Sequence, residues 1–430
     1  MAESLTTLRS MRRRQFFVTC LLLVGNATSV FADSVTTSFG GNLKSNVLLQ
    51  KFPHDSVLHE ESGSNSADAT ANLRLTAKAH RGPWAFNADY QLIAAYSDSQ
   101  NNLLSSSTFS AGQGSLPDDQ RRWFDLTQGF STSGRTQSLQ RLDRLWIGYT
   151  TQDTVVRFGR QALSWGNGLF YSPMDIVNPF DPAAIDTEYK VGDDMLYVQR
   201  LLPSGNDVEA AWVVRRDPLD GDIASGEATT AVRYSAFNDG NEYQLLLARS
   251  YDDTVIGAGG SRSVGGAVWR ADLVLSDADR WRAQLVVNAS YSWMWHKKNV
   301  TGSLEYYFNG FGITGRGYEI ADITSRPQLA ARLARGETYS VGRQYLAGGL
   351  SIEVSPLLLI SPTLFANLAD RSALLQLSSQ YSLGDNLTLL GALTLPIGPQ
   401  GSEFRGIRNA TGNNYLSRDA ALFAQLAWYF

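Results

Sequence analysis

The sequence predicts an all-β protein, a transmembrane antiparallel up-and-down β-barrel, and three observations carry that reading. Apolar and polar residues alternate over long stretches, aromatic rings gather at the ends of the apolar rows, and the last apolar row finishes on Phe430. Trp84, Phe86, Ala88, Tyr90, Leu92, Ala94 and Tyr96 alternate with Asn87, Asp89 and Gln91, and Trp281 to Trp295 repeats the pattern. Period two is the signal of a sheet whose faces meet different surroundings. Soluble strands average about 5–6 residues, whereas a tilted membrane strand needs about 9–11. Several rows here are longer still, so the apolar face is expected to meet lipid and the polar face a lumen.

Composition agrees. Of 430 residues 43% are apolar, 11% aromatic and only 18% charged. A mean hydropathy of -0.19 excludes a bundle of membrane helices, which needs long apolar runs. A net charge of -4 lacks the basic footprint of a nucleic-acid binder.

The N-terminus reads as an address. Arg12, Arg13 and Arg14 precede an apolar run from Phe16 to Gly25, and Val30-Phe31-Ala32 offers a small residue at the cut. Residues 1–32 are therefore expected to be a signal peptide, with translation starting at Met1 or Met11, and residues 33–430 a single barrel domain. Cys20 is the one cysteine and falls in the leader, so the exported chain must hold together without disulfides.

Strands are expected at 38–50, 69–80, 84–96, 139–150, 154–162, 194–201, 208–216, 229–237, 241–250, 254–260, 263–275, 281–295, 299–310, 339–354, 357–368, 372–383, 387–397 and 420–430, eighteen in all, with sixteen as the alternative. The last strand must run toward the periplasm, which fixes the side of every connection. The short 254–260 strand keeps that parity. Arg81-Gly82-Pro83, Thr151-Gln152-Asp153, Asn238-Asp239-Gly240 and Gly384-Asp385-Asn386 are tight, and are expected to be periplasmic turns. The connections 97–138, 162–193, 312–337 and 398–418 are long, and are expected to be extracellular loops. A short helix is expected over 327–335.

A barrel of this size keeps an aqueous lumen. Arg74, Lys78, Asp89, Gln91, Arg157, Gln161, Arg215, Arg233, Gln244, Arg270, Asp272, Arg282, Glu305 and Glu353 fall on the inward rows. Arginines slightly outnumber acids there, which fits a weak anion preference or a mixed lining, so ion selectivity stays open. The loop 162–193 is rich in Asn, Asp, Pro and aromatic residues, and its prolines stiffen it. Long structureless loops in compact folds are usually functional. We expect it to fold inward and narrow the pore, with Asp175, Asn178, Asp181, Asp186 and Glu188 facing Arg157, Arg160 and Arg233 across the opening. The alternative is a loop folded over the rim.

Arg157-Phe158-Gly159-Arg160-Gln161, Ser164-Trp165-Gly166-Asn167-Gly168 and Pro173-Met174-Asp175-Ile176-Val177-Asn178-Pro179-Phe180-Asp181-Pro182 follow one another closely. Tyr291-Ser292-Trp293, Glu305-Tyr306, Asn309-Gly310-Phe311-Gly312, Gly336-Glu337 and Asn367-Leu368-Ala369-Asp370 come later. On these stretches the chain resembles a largely uncharacterised family of porin-like outer-membrane proteins of Gram-negative bacteria, distantly similar to the alginate-export channel. The resemblance implies a passive outer-membrane channel and transfers no ligand residues.

The expected function is diffusion of small hydrophilic solutes, without cofactor. The bilayer and lipopolysaccharide are expected partners. The barrel-assembly machinery is another, reading Trp428 and Phe430 as its signal. Monomer and trimer both remain open. A structural or adhesion barrel with a plugged lumen is the second reading, and an outer-membrane hydrolase the third. Catalysis is disfavoured because the four histidines, His54, His59, His80 and His296, have no nucleophile at a fixed spacing. His54 and His59 with Glu60 and Glu61 suit a solvated loop better than a metal site.

Overall fold

The computed structural model describes residues 34–98, 116–409 and 414–430. The expected signal peptide and both possible starts lie outside the described residues. The strands are β1 (Thr36–Lys51), β2 (Asn65–Arg81), β3 (Trp84–Tyr96), β4 (Thr127–Ser133), β5 (Thr136–Thr150), β6 (Thr154–Gln161), β7 (Asp193–Leu201), β8 (Asp207–Val213), β9 (Thr229–Asn238), β10 (Asn241–Ser250), β11 (Asp253–Val264), β12 (Ala267–Asp277), β13 (Trp281–Trp295), β14 (Lys298–Asn309), β15 (Gln344–Ser355), β16 (Leu358–Asn367), β17 (Ser372–Gly384), β18 (Leu387–Ile397), the two-residue β19 (Ile407–Arg408) and β20 (Tyr415–Leu416), and β21 (Ala421–Tyr429).

Every strand of the barrel pairs antiparallel with its neighbours, and β21 closes the ring by pairing with both β18 and β1. The main sheet holds 19 strands, of which β4 stands outside the ring, leaving eighteen in the closed barrel. β6 pairs with β5 only as far as Leu145, because the chain leaves the wall after Gln161. β4 covers the β5 edge beyond that point, from Arg141 to Thr136, so no long ladder edge is left open.

Neighbouring residues show why the sheet closes this way. On β14, Leu304 is 57% exposed while Glu305 is 0% exposed. A water-soluble fold would reverse that order. The same inversion holds around the ring, with Leu247, Trp84 and Leu422 outward and Gln244, Gln91 and Gln425 buried inside. The expected strand count is therefore the observed one.

Short turns alternate with long loops as expected. Tight turns such as Asp239-Gly240 and His296-Lys297 have positive φ at both central residues, the primed geometry that matches strand twist. Several boundaries differ from expectation. β11 runs on to Val264, with Gly257, Gly259 and Gly260 inside it and the turn at Gly265-Gly266. β15 starts at Gln344 rather than at 339, because Ile313 and Val341 join in a separate loop layer. The helix Pro327–Arg335 has its expected bounds, with Pro at its start and left-handed Gly336 at its end. It packs with Phe311, Ile313, Tyr318 and Ile407 into a small apolar core of the extracellular loops.

Candidate functional site

After Gln161 the chain turns inward, and its hydrogen bonds trace where it goes. Trp165 Nε1 donates to Glu209 on β8 at 2.6 Å. The Asn167 backbone N–H and side-chain amide donate to Asp272 on β12 at 2.6 and 2.7 Å. The backbone N–H groups of Leu169, Phe170 and Tyr171 converge on the Glu305 carboxylate of β14 at 2.6 to 3.1 Å. Gln376 on β17 donates to the Ala183 carbonyl at 3.0 Å. Asp186 accepts from Lys44 on β1 at 2.5 Å and from Gln425 on β21 at 3.0 Å. The Arg74 guanidinium of β2 lies 4.1 Å from the centre of the Tyr189 ring, and Arg144 of β5 donates to the Lys190 carbonyl.

The partners thus come from β8, β12, β14, β17, β21, β1, β2 and β5 in the order in which these strands stand around the barrel. Residues 162–192, the collar, do not make one simple circuit: 162–171 follow the wall from β6 to β14, 174–177 turn back onto β7 to β12, where Val177 packs on Met195, Tyr197 and Val213, and the chain then passes to β17 before running on to β5. Residues 178–183 reach only about 20 Å extended, too little to follow the wall past about nine strands spaced about 4.8 Å apart, so they cross the interior. The collar needs no ladder of its own, because inward carboxylates and amides of the wall satisfy its backbone. Its apolar side chains are held too. Met174, Trp165, Leu163 and Ile176 pack on Ala211, Ala231, Leu246 and Val274, while Tyr171 stacks on Tyr307 at 4.6 Å.

Electrostatics divides the collar in two. Burial pushes the Asp175 carboxyl up to about 6, even with Lys190 bonded to it at 2.5 Å. Burial also pushes Asp181, whose carboxylate accepts from the Ala183 N–H at 2.9 Å, up to about 7. Burial acts on Asp186 and Glu188 as well. There the hydrogen bonds and charge of Lys44, at 2.5 and 2.8 Å, prevail and hold both below the usual carboxylate range.

These pairings correct the expected charge arrangement. The acids do not meet Arg157, Arg160 and Arg233 across an opening, since Lys44 on the wall holds Asp186 and Glu188, and Lys190 of the same loop holds Asp175. Arg157 lies over the rings of Trp146 and Tyr197. Gln161 reaches the Met195 carbonyl at 3.5 Å. Arg233 pairs with Glu209 and lies over Trp165. Arg270 donates to Ser290 at 3.1 Å. Asn178 adopts a left-handed φ of 51° at a bend of the collar.

Arg160 departs most. The alternation that turns Arg157 and Gln161 inward turns Arg160 outward with Phe158. There Asp119 at 3.0 Å and Asp194 at 2.8 Å enclose it completely. Residues 116–126 form a strap over that outer wall, with Trp123 packed on Phe158 and Trp212. Arg122 of the strap donates to the Gly192 carbonyl at the end of the collar at 3.0 Å.

Sequence reasoning missed Lys44, whose burial between Asn42 and Leu48 on the inward row marks it as lumenal. Strict parity along β1 would have found it. Glu403 was missed because loop contacts carry no periodicity. It accepts from the backbone of Val341 at 2.8 Å, Tyr345 at 2.5 Å and Asn367 at 2.7 Å, and fastens the 398–420 loop to the inner wall.

No family model and no curated protein sequence matches the chain. Solved structures do. Pseudomonas aeruginosa OccK2 (OpdF), in complex with glucuronate, superposes with a TM-score of 0.51 at 11% identity, over 92% of this chain and 98% of that one. Acinetobacter baumannii OccAB1 gives 0.52 at 10% identity, over 92% and 96%. Pseudomonas aeruginosa OccK9 (OpdG) gives 0.51 at 12%, over 92% and 98%. The chain thus has the closed eighteen-stranded fold of the outer-membrane Occ channels.

Proposed function

We propose that this protein is an outer-membrane channel for passive diffusion of small hydrophilic solutes, and that the collar 162–192 is its constriction. One observation carries the reading: the wall is polar inside and apolar outside, and the collar lies within it, bonded to inward side chains from β1 to β21. A single chain passing through a lumen this wide narrows it without filling it. The apolar belt answers to hydrocarbon, and exposed aromatic rings at its ends, such as Trp84, Trp281, Trp293 and Trp428, suit the interfaces. Likeness to a channel crystallised with glucuronate supports a small polar solute, with the class left to the lining. Trp428 and Phe430, whose rings lie 5.0 Å apart at the end of the last strand, are the proposed signal to the assembly machinery.

The test is single-channel conductance in planar bilayers, for the full chain and for a deletion of residues 170–186. The expected result is a stable conductance in the first and a larger one in the second. Unchanged conductance after the deletion would remove the constriction. The packing of Met174 and Tyr171 on the wall also suits a plugged structural barrel, and silence of the full chain would favour that.

A further inference from the structure

On the extracellular side of the collar, where β17, β18, β21 and β1 reach the loops, a cavity of about 120 Å³ opens between the collar and the wall. Asp181 faces it from the collar, Tyr339 from the loop before β15, and Glu403 and Phe404 from the loop after β18, with Leu374 and Leu416 adding apolar surface. The charges around it do not balance. Asp181 makes no ion pair among the described residues and is bonded to the Ala183 N–H alone. Glu403 is held by neutral donors only. The remaining charges have partners: Asp419 pairs with Arg405 at 2.7 Å, Asp175 with Lys190 at 2.5 Å, and the Arg418 guanidinium interacts with Asp68. Arg418 and Asp419 also line the cavity, but Arg418 faces Asp68 and Asp419 pairs with Arg405, so Asp181 and Glu403 share one small, partly apolar space without a cation of their own, where water screens them poorly.

We propose that this cavity is a binding subsite for a primary ammonium group carried on a short alkyl stem. An ammonium has three donors and one positive charge, which suits the open lone pairs of Asp181 and the charge of Glu403. Phe404, Leu374 and Leu416 supply the surface for the stem. A carboxylate or sulfonate solute would meet the wrong sign here. The subsite deepens the channel reading and rests on it only for the route by which a solute arrives.

The test is calorimetric titration of the detergent-solubilised full chain with n-butylammonium chloride, with sodium butyrate as the opposite-charge control. Saturable binding at about pH 8 is expected for butylammonium and none for butyrate. Asp181 and Glu403 are both pushed up to about 7 by burial, so they are ionised above that value and neutral below it. Tyr339 and Tyr171, which also face them, are pushed up by burial and stay neutral, as Tyr345 beside them does. Arg418, lowered by burial to about 10, stays charged, and burial raises Asp370 as well, so it titrates in the same sense. Binding should therefore weaken at least about tenfold between about pH 8 and about pH 5.5.

Asp181→Asn should weaken it by a similar factor. Ala183→Leu should abolish it by filling the cavity while sparing the carboxylate. Unheated gel mobility verifies that each variant is a folded barrel. Affinity that is the same in Asp181→Asn, or no binding to a folded wild-type barrel, would overturn the subsite. Conductance recorded separately keeps the two ideas apart. A silent barrel that still binds butylammonium would sink diffusion and leave the subsite standing, and a conducting barrel that binds none would do the reverse.

Discussion

Arg160 shows how much one side chain can be asked to hold on the lipid-exposed side of a barrel. Its guanidinium carries bonds to Asp119 and Asp194 and to the Phe124 carbonyl, with no exposed surface. Replacing one member of a buried ion pair strands the partners, at a cost of about 3–5 kcal/mol. Arg160→Met is therefore expected to release the strap 116–126 while the barrel stays closed. Trypsin acting on proteoliposomes should then cut after Arg121 and Arg122, sites protected in the wild type by bonds to Glu227, Asp119 and Gly192. Equal resistance in the two proteins would show that the strap is held by Trp123 packing alone. The sequence displayed Arg160 inside Arg157-Phe158-Gly159-Arg160-Gln161 yet not its environment. Parity alone assigns it to the outer face, and only the fold reveals that another loop lies there to receive it.

At the scale of the element, the strands were legible and the collar was not. A strand states its two environments in every second residue, so count, order and parity could be read directly, and the errors fall at ends such as Val264, where pairing outlasts alternation, and Gln344, where pairing begins after it. The collar has no period. Its prolines and acids mark it as a loop of interest, but its course depends on Glu209, Asp272, Glu305, Gln376 and Lys44, spread over the whole chain. Its chemistry predicts an uncommon pH response. Asp175 and Asp181, held at about 6 and about 7, bind more protons in the folded collar than in the open chain between about pH 4 and pH 7, so their contribution to its stability falls as pH rises through that window. Asp186 and Glu188 are held low. Their tie to Lys44 is complete above their ordinary values and is lost only as pH falls through the lowered ones. The collar should be tightest near about pH 5 and loosen toward about pH 8. Amide exchange over residues 173–186, corrected for intrinsic rates, should show more frequent opening at the higher pH, and Asp181→Asn should flatten the profile. Exchange that slows toward pH 8 would contradict the assignment.

For the whole molecule the decisive event is closure, because an open sheet of this width would present two unpaired edges to lipid, where each unsatisfied backbone group costs several kcal/mol. The seam joins the first strand to the last, so its contacts span nearly the full sequence and must await every other pairing. It is tight at one place. The Gly41 and Phe430 backbones bond reciprocally at 2.8 and 3.0 Å, and a side chain on Gly41 would come within 2.3 Å of the Arg74 carbonyl and 2.9 Å of the Phe430 ring. Nothing in that position can yield without moving β2 or displacing the terminal ring. Gly41→Val is accordingly expected to destabilise closure by about 1–3 kcal/mol. Gly384, which has open space around it within a strand of the same barrel, supplies the matched control as Gly384→Val. The reading is the temperature at which the compact band on an unheated gel converts to the unfolded one, with the amount of protein recovered in the outer membrane as a second measure. A lower conversion temperature for Gly41→Val alone would place the weak point of assembly at the seam. Equal loss in both variants would mean that bulk along any strand is what the barrel resists, and that Phe430 matters to assembly through recognition instead of fit.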